Sequence, residues 1–114
     1  MGFLTHPTLT CSSYENRIKA THLSRLLKFL AELIGTFVFL GVILATGEAI
    51  PIGIALVAAI FLMGKVSGGN FNPAVSAMLY AKGDLKANEL VSYVVAQVLG
   101  GLGALAWYKH VKSQ

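Results

Sequence analysis

The sequence is poor in charge: Asp, Glu, Lys and Arg make up only 12% of its 114 residues. A soluble domain carries about 25%, because most of its residues touch water. Acidic residues are the scarcer sign, five against nine basic ones. There is one cysteine, Cys11, which excludes a disulfide scaffold. Of the three prolines, one lies inside a long apolar run, Pro51, and it sits at the start of that run, where a missing N–H costs nothing. The chain does have apolar residues, 55% of the total, with a mean hydropathy of +0.69. That excludes disorder, and it is more apolar surface than one small soluble core can hide. What remains is a protein whose solvent is the lipid bilayer. The net charge of +4 implies no nucleic-acid partner, because its placement has a simpler explanation.

The basic residues divide the chain. Residues 1–28 contain Arg17, Lys19, Arg25 and Lys28 and read as a polar, basic tail and lead-in, with a membrane domain over residues 29–112. The opening Gly2-Phe3-Leu4 is too short for the apolar region of a signal peptide, and its bases follow it, so no signal peptide is expected. His6 stands where a myristoylation signal has Ser or Thr. Residues 1–16 read as a solvated tail. From Ile18 to Phe29, Leu23, Leu26 and Leu27 alternate with bases, which predicts a segment lying at the membrane interface.

Three apolar segments follow: Leu26 to Gly47, Ala49 to Gly64 and Leu90 to Tyr108. A run of roughly 20 residues crosses the hydrocarbon core at about 1.5 Å per residue, so the first and third suffice directly. The second is short and needs Lys65 to snorkel or the following loop to lie within the membrane boundary. Trp107 and Tyr108, followed by Lys109, His110 and Lys112, read as an interfacial belt.

Between the second and third segments, Asn72 is a good N-cap and Pro73 a good first helical residue, while Gly83-Asp84 should stop the helix. About ten helical residues span roughly 15 Å, half a bilayer. An apolar half-helix behind the Gly-rich Ser67-Gly68-Gly69 is best placed as a re-entrant segment. Irregular backbone at membrane depth is tolerated only when buried in protein or lining a watery cavity. The predicted fold is therefore all-α, with three transmembrane helices and one re-entrant half-helix.

Asn72-Pro73-Ala74, preceded by Ser67-Gly68-Gly69 and followed by Val75-Ser76, resembles the first Asn-Pro-Ala motif of the aquaporin and glycerol-facilitator family. Ala31-Glu32-Leu33-Ile34-Gly35-Thr36-Phe37 is similar to that family's first helix, and Gln97-Val98-Leu99-Gly100 to its third. Three patterns in the right order and spacing make the resemblance specific. It runs from about Phe29 to Tyr108 and corresponds to the first of the two inverted repeats of a family member. It implies that Asn72 donates a hydrogen bond into a pore, that Pro73 starts the half-helix, and that Ala74 meets an opposing half-helix. The carbonyls of Gly69, Asn70 and Phe71 would form an acceptor ladder. Asn70 departs from the His that many members carry, a change that a backbone ladder should survive. Ile52 falls at a position of the family's narrow outer filter.

Several residues have a plainer reading as well. Glu32 lies inside the first span, where a carboxylate is costly unless satisfied. It could pair with Lys28 one turn back or, as the resemblance implies, buttress the re-entrant loop, and its depth favours the buttress. Gln97, which could join that buttress, reads as scaffold. Gly35 and the spacing of Ala96, Gly100 and Ala104 predict close helix packing. No spacing of His6, His22 and His110 suggests a metal site, and no nucleophile–base pair or phosphate loop suggests an enzyme. No cofactor is implied.

In the family topology the N-terminal side holds Arg17, Lys19, Arg25, Lys28, Lys65, Lys82 and Lys86, and the other side Lys109 and Lys112. This bias predicts a cytoplasmic N-terminus. It also opposes an upside-down second copy, although a complete pathway needs two half-helices from opposite faces. The expected function is a half-size channel subunit for water or small uncharged solutes, completed in a homo-oligomer by an inverted copy or by an unlike complementary half. The alternative is a non-conducting structural subunit of a larger membrane assembly, including a viral one.

Overall fold

The computed structural model describes residues 10–114, so the features at Gly2-Phe3-Leu4 and His6 lie outside the described residues. Four helices follow in order: α1 (Cys11–Thr46), α2 (Ala49–Ser67), α3 (Pro73–Lys82) and α4 (Ala87–Lys112). Three of them, α1, α2 and α4, are long and apolar enough to cross a membrane. The ten-residue α3 is not.

The first helix begins well before the apolar run that predicts it. Thr10 caps it, its hydroxyl accepting from the Ser13 N–H at 3.3 Å, and neither Gly nor Pro interrupts it before Gly35. Gly47, at φ 64°, closes the far end by donating to the Ile43 carbonyl at 3.0 Å. Its 36 residues span about 54 Å against a hydrocarbon core of about 30 Å. The basic first part, Cys11 to Leu27, is exposed on every face.

The other two long helices pack on α1 by different means. Along α4, Ala96, Gly100 and Ala104 recur every four residues and are buried. A Cβ on Gly100 would stand 2.5 Å from the Leu33 carbonyl oxygen and 3.1 Å from the Thr36 Cβ, so the backbones approach only because that atom is missing. Phe37 meets Trp107 edge to face, with ring centroids 6.4 Å apart, near the far end. At the basic end, Glu89 accepts from the Lys86 N–H at 3.2 Å, which starts α4 at Ala87, three residues before its apolar run. The same carboxylate pairs with Lys28 Nζ at 2.8 Å, tying α4 to α1. By contrast α2 buries only Ala55, Ala59 and Ser67, while Phe61 remains 84% exposed. Such an apolar surface suits lipid. The short α3 lies against α4, and Lys82 at its end pairs with Asp84 at 2.8 Å, which raises the Lys82 pKa.

Candidate functional site

The backbone between α2 and α3 turns back on itself through left-handed residues. Gly68 (φ 94°) caps α2, its N–H donating to the Gly64 carbonyl at 2.8 Å, and Gly69 follows at φ 67°. Phe71 also has a positive φ, 53°, which costs a residue with a Cβ roughly 1–2 kcal/mol. Two contacts hold it there. Its N–H donates to Glu32 Oε2 at 2.7 Å, and its ring, 2% exposed, fills the space left by Gly35, where a Cβ would overlap the ring. Gly35 thus makes room for the ring of the loop's Phe71. Asn72 returns to extended backbone, and its Oδ1 accepts from the Ala74 N–H at 2.8 Å, with Pro73 as the first helical residue.

Glu32 is the centre of this arrangement and is fully buried. Its Oε1 accepts from the Ser67 hydroxyl at 2.7 Å and the Asn70 N–H at 3.0 Å. Its Oε2 accepts from the Phe71 N–H and from Gln97 Nε2 at 2.9 Å. Four donors on two oxygens satisfy a carboxylate at membrane depth without a cation. Lys28, one turn back, goes instead to Glu89.

Two residues to which the sequence assigns no role, Ser76 and Tyr93, extend the network. Ser76 Oγ accepts from both Asn70 Nδ2 at 3.0 Å and Gln97 Nε2 at 2.9 Å, so α3, the loop and α4 meet at one hydroxyl. The Tyr93 hydroxyl donates to the Ser67 carbonyl at 2.5 Å, and Ser67 Oγ accepts from the Gly69 N–H at 3.2 Å. A signal for them exists in the spacing: Tyr93 precedes Gln97 by one helical turn, and Ser76 follows Asn72 by one.

This geometry sets where the other groups point. In a trans peptide the C=O and the next N–H are antiparallel. The N–H groups of Asn70 and Phe71 face Glu32, so the carbonyls of Gly69 and Asn70 face away from it. Among the described residues no donor reaches the carbonyl oxygens of Gly69, Asn70 or Phe71. With Asn72 Oδ1 occupied by the cap, its Nδ2 is the end of the amide left to donate. Asn72, Pro73 and Ala74 are all exposed. Asn72 and Pro73 border a cleft of about 390 Å³ between α1, the loop and α4, with Thr36 and Gln97 also on its wall. Ile52 is not brought to this site: it lies half-buried near the start of α2, while the loop leaves from the end of that helix, roughly 20 Å further on.

Residues 46–114 match the family model described as Major intrinsic protein. The chain is 40% identical over 91 residues to Glycerol uptake facilitator protein-like 6 of Lactiplantibacillus plantarum, covering 72% of this chain and 42% of that one. It is 36% identical over 94 residues to Aquaporin Z of Photorhabdus laumondii, covering 69% and 41%. To Aquaporin Z of Brucella melitensis it is 45% identical over 60 residues, covering 53% and 26%. The chain thus spans about two fifths of the length of the first two relatives. No solved structure matches it significantly.

Proposed function

Because the chain belongs to the major intrinsic protein family, we propose that this integral membrane protein supplies one half of a passive pathway for water or small uncharged solutes. The observation that carries this reading is the half-helix. Glu32 takes three hydrogen bonds from Ser67, Asn70 and Phe71 at the loop and a fourth from Gln97 on α4, which supports a half-helix whose N-terminus stops inside the span instead of crossing it.

The chemistry at that end suits a neutral polar solute. Asn72 Nδ2 offers a donor to a passing oxygen, and the carbonyls of Gly69, Asn70 and Phe71 offer acceptors to its hydrogens. The N-terminus of α3 carries the positive end of the helix dipole, which disfavours cations and protons. Ala74 contributes a small exposed face for close approach of an opposing segment. Ile52 would act at the outer end of α2, as an aliphatic wall rather than a polar one.

A pathway needs a half-helix from the opposite face as well. The seven bases on the N-terminal side, against Lys109 and Lys112 on the other, support a cytoplasmic N-terminus with residues 29–112 as the membrane domain. That bias makes an inverted copy a poor second half and an unlike half the better one, whether on this polypeptide or another. The same bias lends its support to the second reading, a structural subunit that conducts nothing.

Protein purified from its own membranes and reconstituted in liposomes should raise osmotic water permeability in stopped-flow shrinkage. Ala74→Trp, at an exposed position outside the Glu32 network, should remove the increase. Equal shrinkage of filled and empty vesicles would overturn the channel and leave the structural subunit.

A further inference from the structure

Helix α1 outruns the bilayer. Its 36 residues reach about 54 Å against a hydrocarbon core of about 30 Å, so that, counted back from Gly47, the core ends near Leu27. The direction of each face is set within the span, where Ala31, Glu32, Gly35 and Thr36 are buried and Lys28 bonds Glu89 on α4. Tyr14, Ile18, Thr21 and Arg25 precede Lys28 and Glu32 at alternating steps of four and three residues. Tyr14 therefore stands about five turns before Glu32 on the same side of the helix, with Arg17 beside it. The face that packs on the loop and α4 thus runs on past the last element that covers it. There Tyr14 is 58% and Ile18 39% exposed, and among the described residues Arg17 and Arg25 make no ion pair. Lys19 lies on the opposite side, in line with the exposed Leu23, Leu26 and Leu30.

The occupant of this stripe must cover an apolar centre and meet two guanidiniums. A lipid headgroup reaches Arg25 but not Arg17, which stands about 15 Å beyond Leu27, whereas the headgroup layer adds only about 5–7 Å on each side. A second copy is a poor occupant, because a parallel pair brings Arg25 opposite Arg25 in the seam. Nor does this chain supply an acidic segment of its own. Glu32 is buried, Asp84 and Glu89 are paired, Glu48 lies at the other end of α1, and Glu15 is on the extension itself. We infer that the stripe docks an acidic amphipathic helix of another polypeptide, whose apolar seam covers Tyr14 and Ile18 while its carboxylates meet Arg17 and Arg25. Guanidinium suits that task, since its planar fork matches a carboxylate with two parallel N–H groups.

The probe is a fluorescein-labelled peptide helix with Leu along its seam and Glu beside it, titrated by anisotropy onto the full chain in phosphatidylcholine nanodiscs. It should bind, and the same peptide with Gln for Glu should not. Arg17→Gln combined with Arg25→Gln should weaken the affinity about tenfold, the size of two exposed ion pairs. Arg17→Lys with Arg25→Lys should restore most of it, and Ile18→Ser should weaken it by removing the apolar centre. Lys19→Gln, the same loss of charge on the opposite side, should change it by less than about twofold. No binding, an unaltered affinity in the Gln pair, or an equal loss in Lys19→Gln would each overturn the docking stripe. Phosphatidylserine in the nanodiscs that erased the difference between the parent and the Gln pair would give the stripe to lipid instead. Pairs of chains that Ile18→Ser separates would give it to a second copy.

Discussion

Helices α2 and α4 both pack on α1, and they do so with unlike surfaces. Apolar almost throughout, α2 buries two alanines and a serine. The more polar α4 buries Tyr93, Ala96, Gln97, Gly100 and Ala104. In lipid the difference has a direct cause: apolar side chains gain nothing by leaving an equally apolar solvent. Helices associate through small residues that admit close approach and polar groups that need partners. The helix with the higher hydropathy is therefore the less embedded one, and its contribution to the site is to deliver Ser67 and the loop. The seam of α1 and α4 supplies the fixed frame, with Glu32 on one side and Gln97 and Tyr93 on the other.

The contrast can be broken from the frame side first. Glu32→Gln replaces one acceptor oxygen with an N–H₂ group facing donors. It should cost about 3–5 kcal/mol, read as a lower melting temperature in detergent and lost permeability in liposomes. A protein as stable as the parent would mean that the loop does not depend on the carboxylate. Next in size is Gly100→Leu, whose Cβ would meet the Leu33 carbonyl at 2.5 Å. About 1–3 kcal/mol of overpacking should prise α4 from α1, and a cysteine pair across the seam would report it by slower cross-linking. The smallest effect belongs to α2. Phe61→Leu, on its exposed side, should change stability by less than about 0.5 kcal/mol. A loss comparable to that of Gly100→Leu would show that α2 has a packing partner on that face.

Much of the fold is legible along the chain. The bounds of α3 are written locally, by Asn72 and Pro73 at one end and Gly83 at the other, because capping and φ preferences act within a turn. The early start of α1 was less visible, since a polar helix outside the membrane lacks the apolar run that marks a span. Within the site, local sequence reveals candidates but not pairings. Lys28 lies one turn from Glu32 and yet bonds Glu89, 61 residues away. Gly35 has the look of a helix-packing residue, and the ring it receives is that of Phe71. The left-handed Phe71 has no signal at all, because an aromatic residue does not prefer that conformation.

What the sequence alone determined is the class and the local order: an all-α membrane chain, three spans, and a half-helix between fixed signals. Those follow from hydropathy, from helix length against bilayer thickness, and from caps, all of which are summed over neighbours in the chain. Only the tertiary structure decided which donors fill Glu32, and why Ser76 and Tyr93 matter. These depend on how each helix is rotated about its axis. A rotation of 100° separates adjacent residues, and only packing against a second helix sets it.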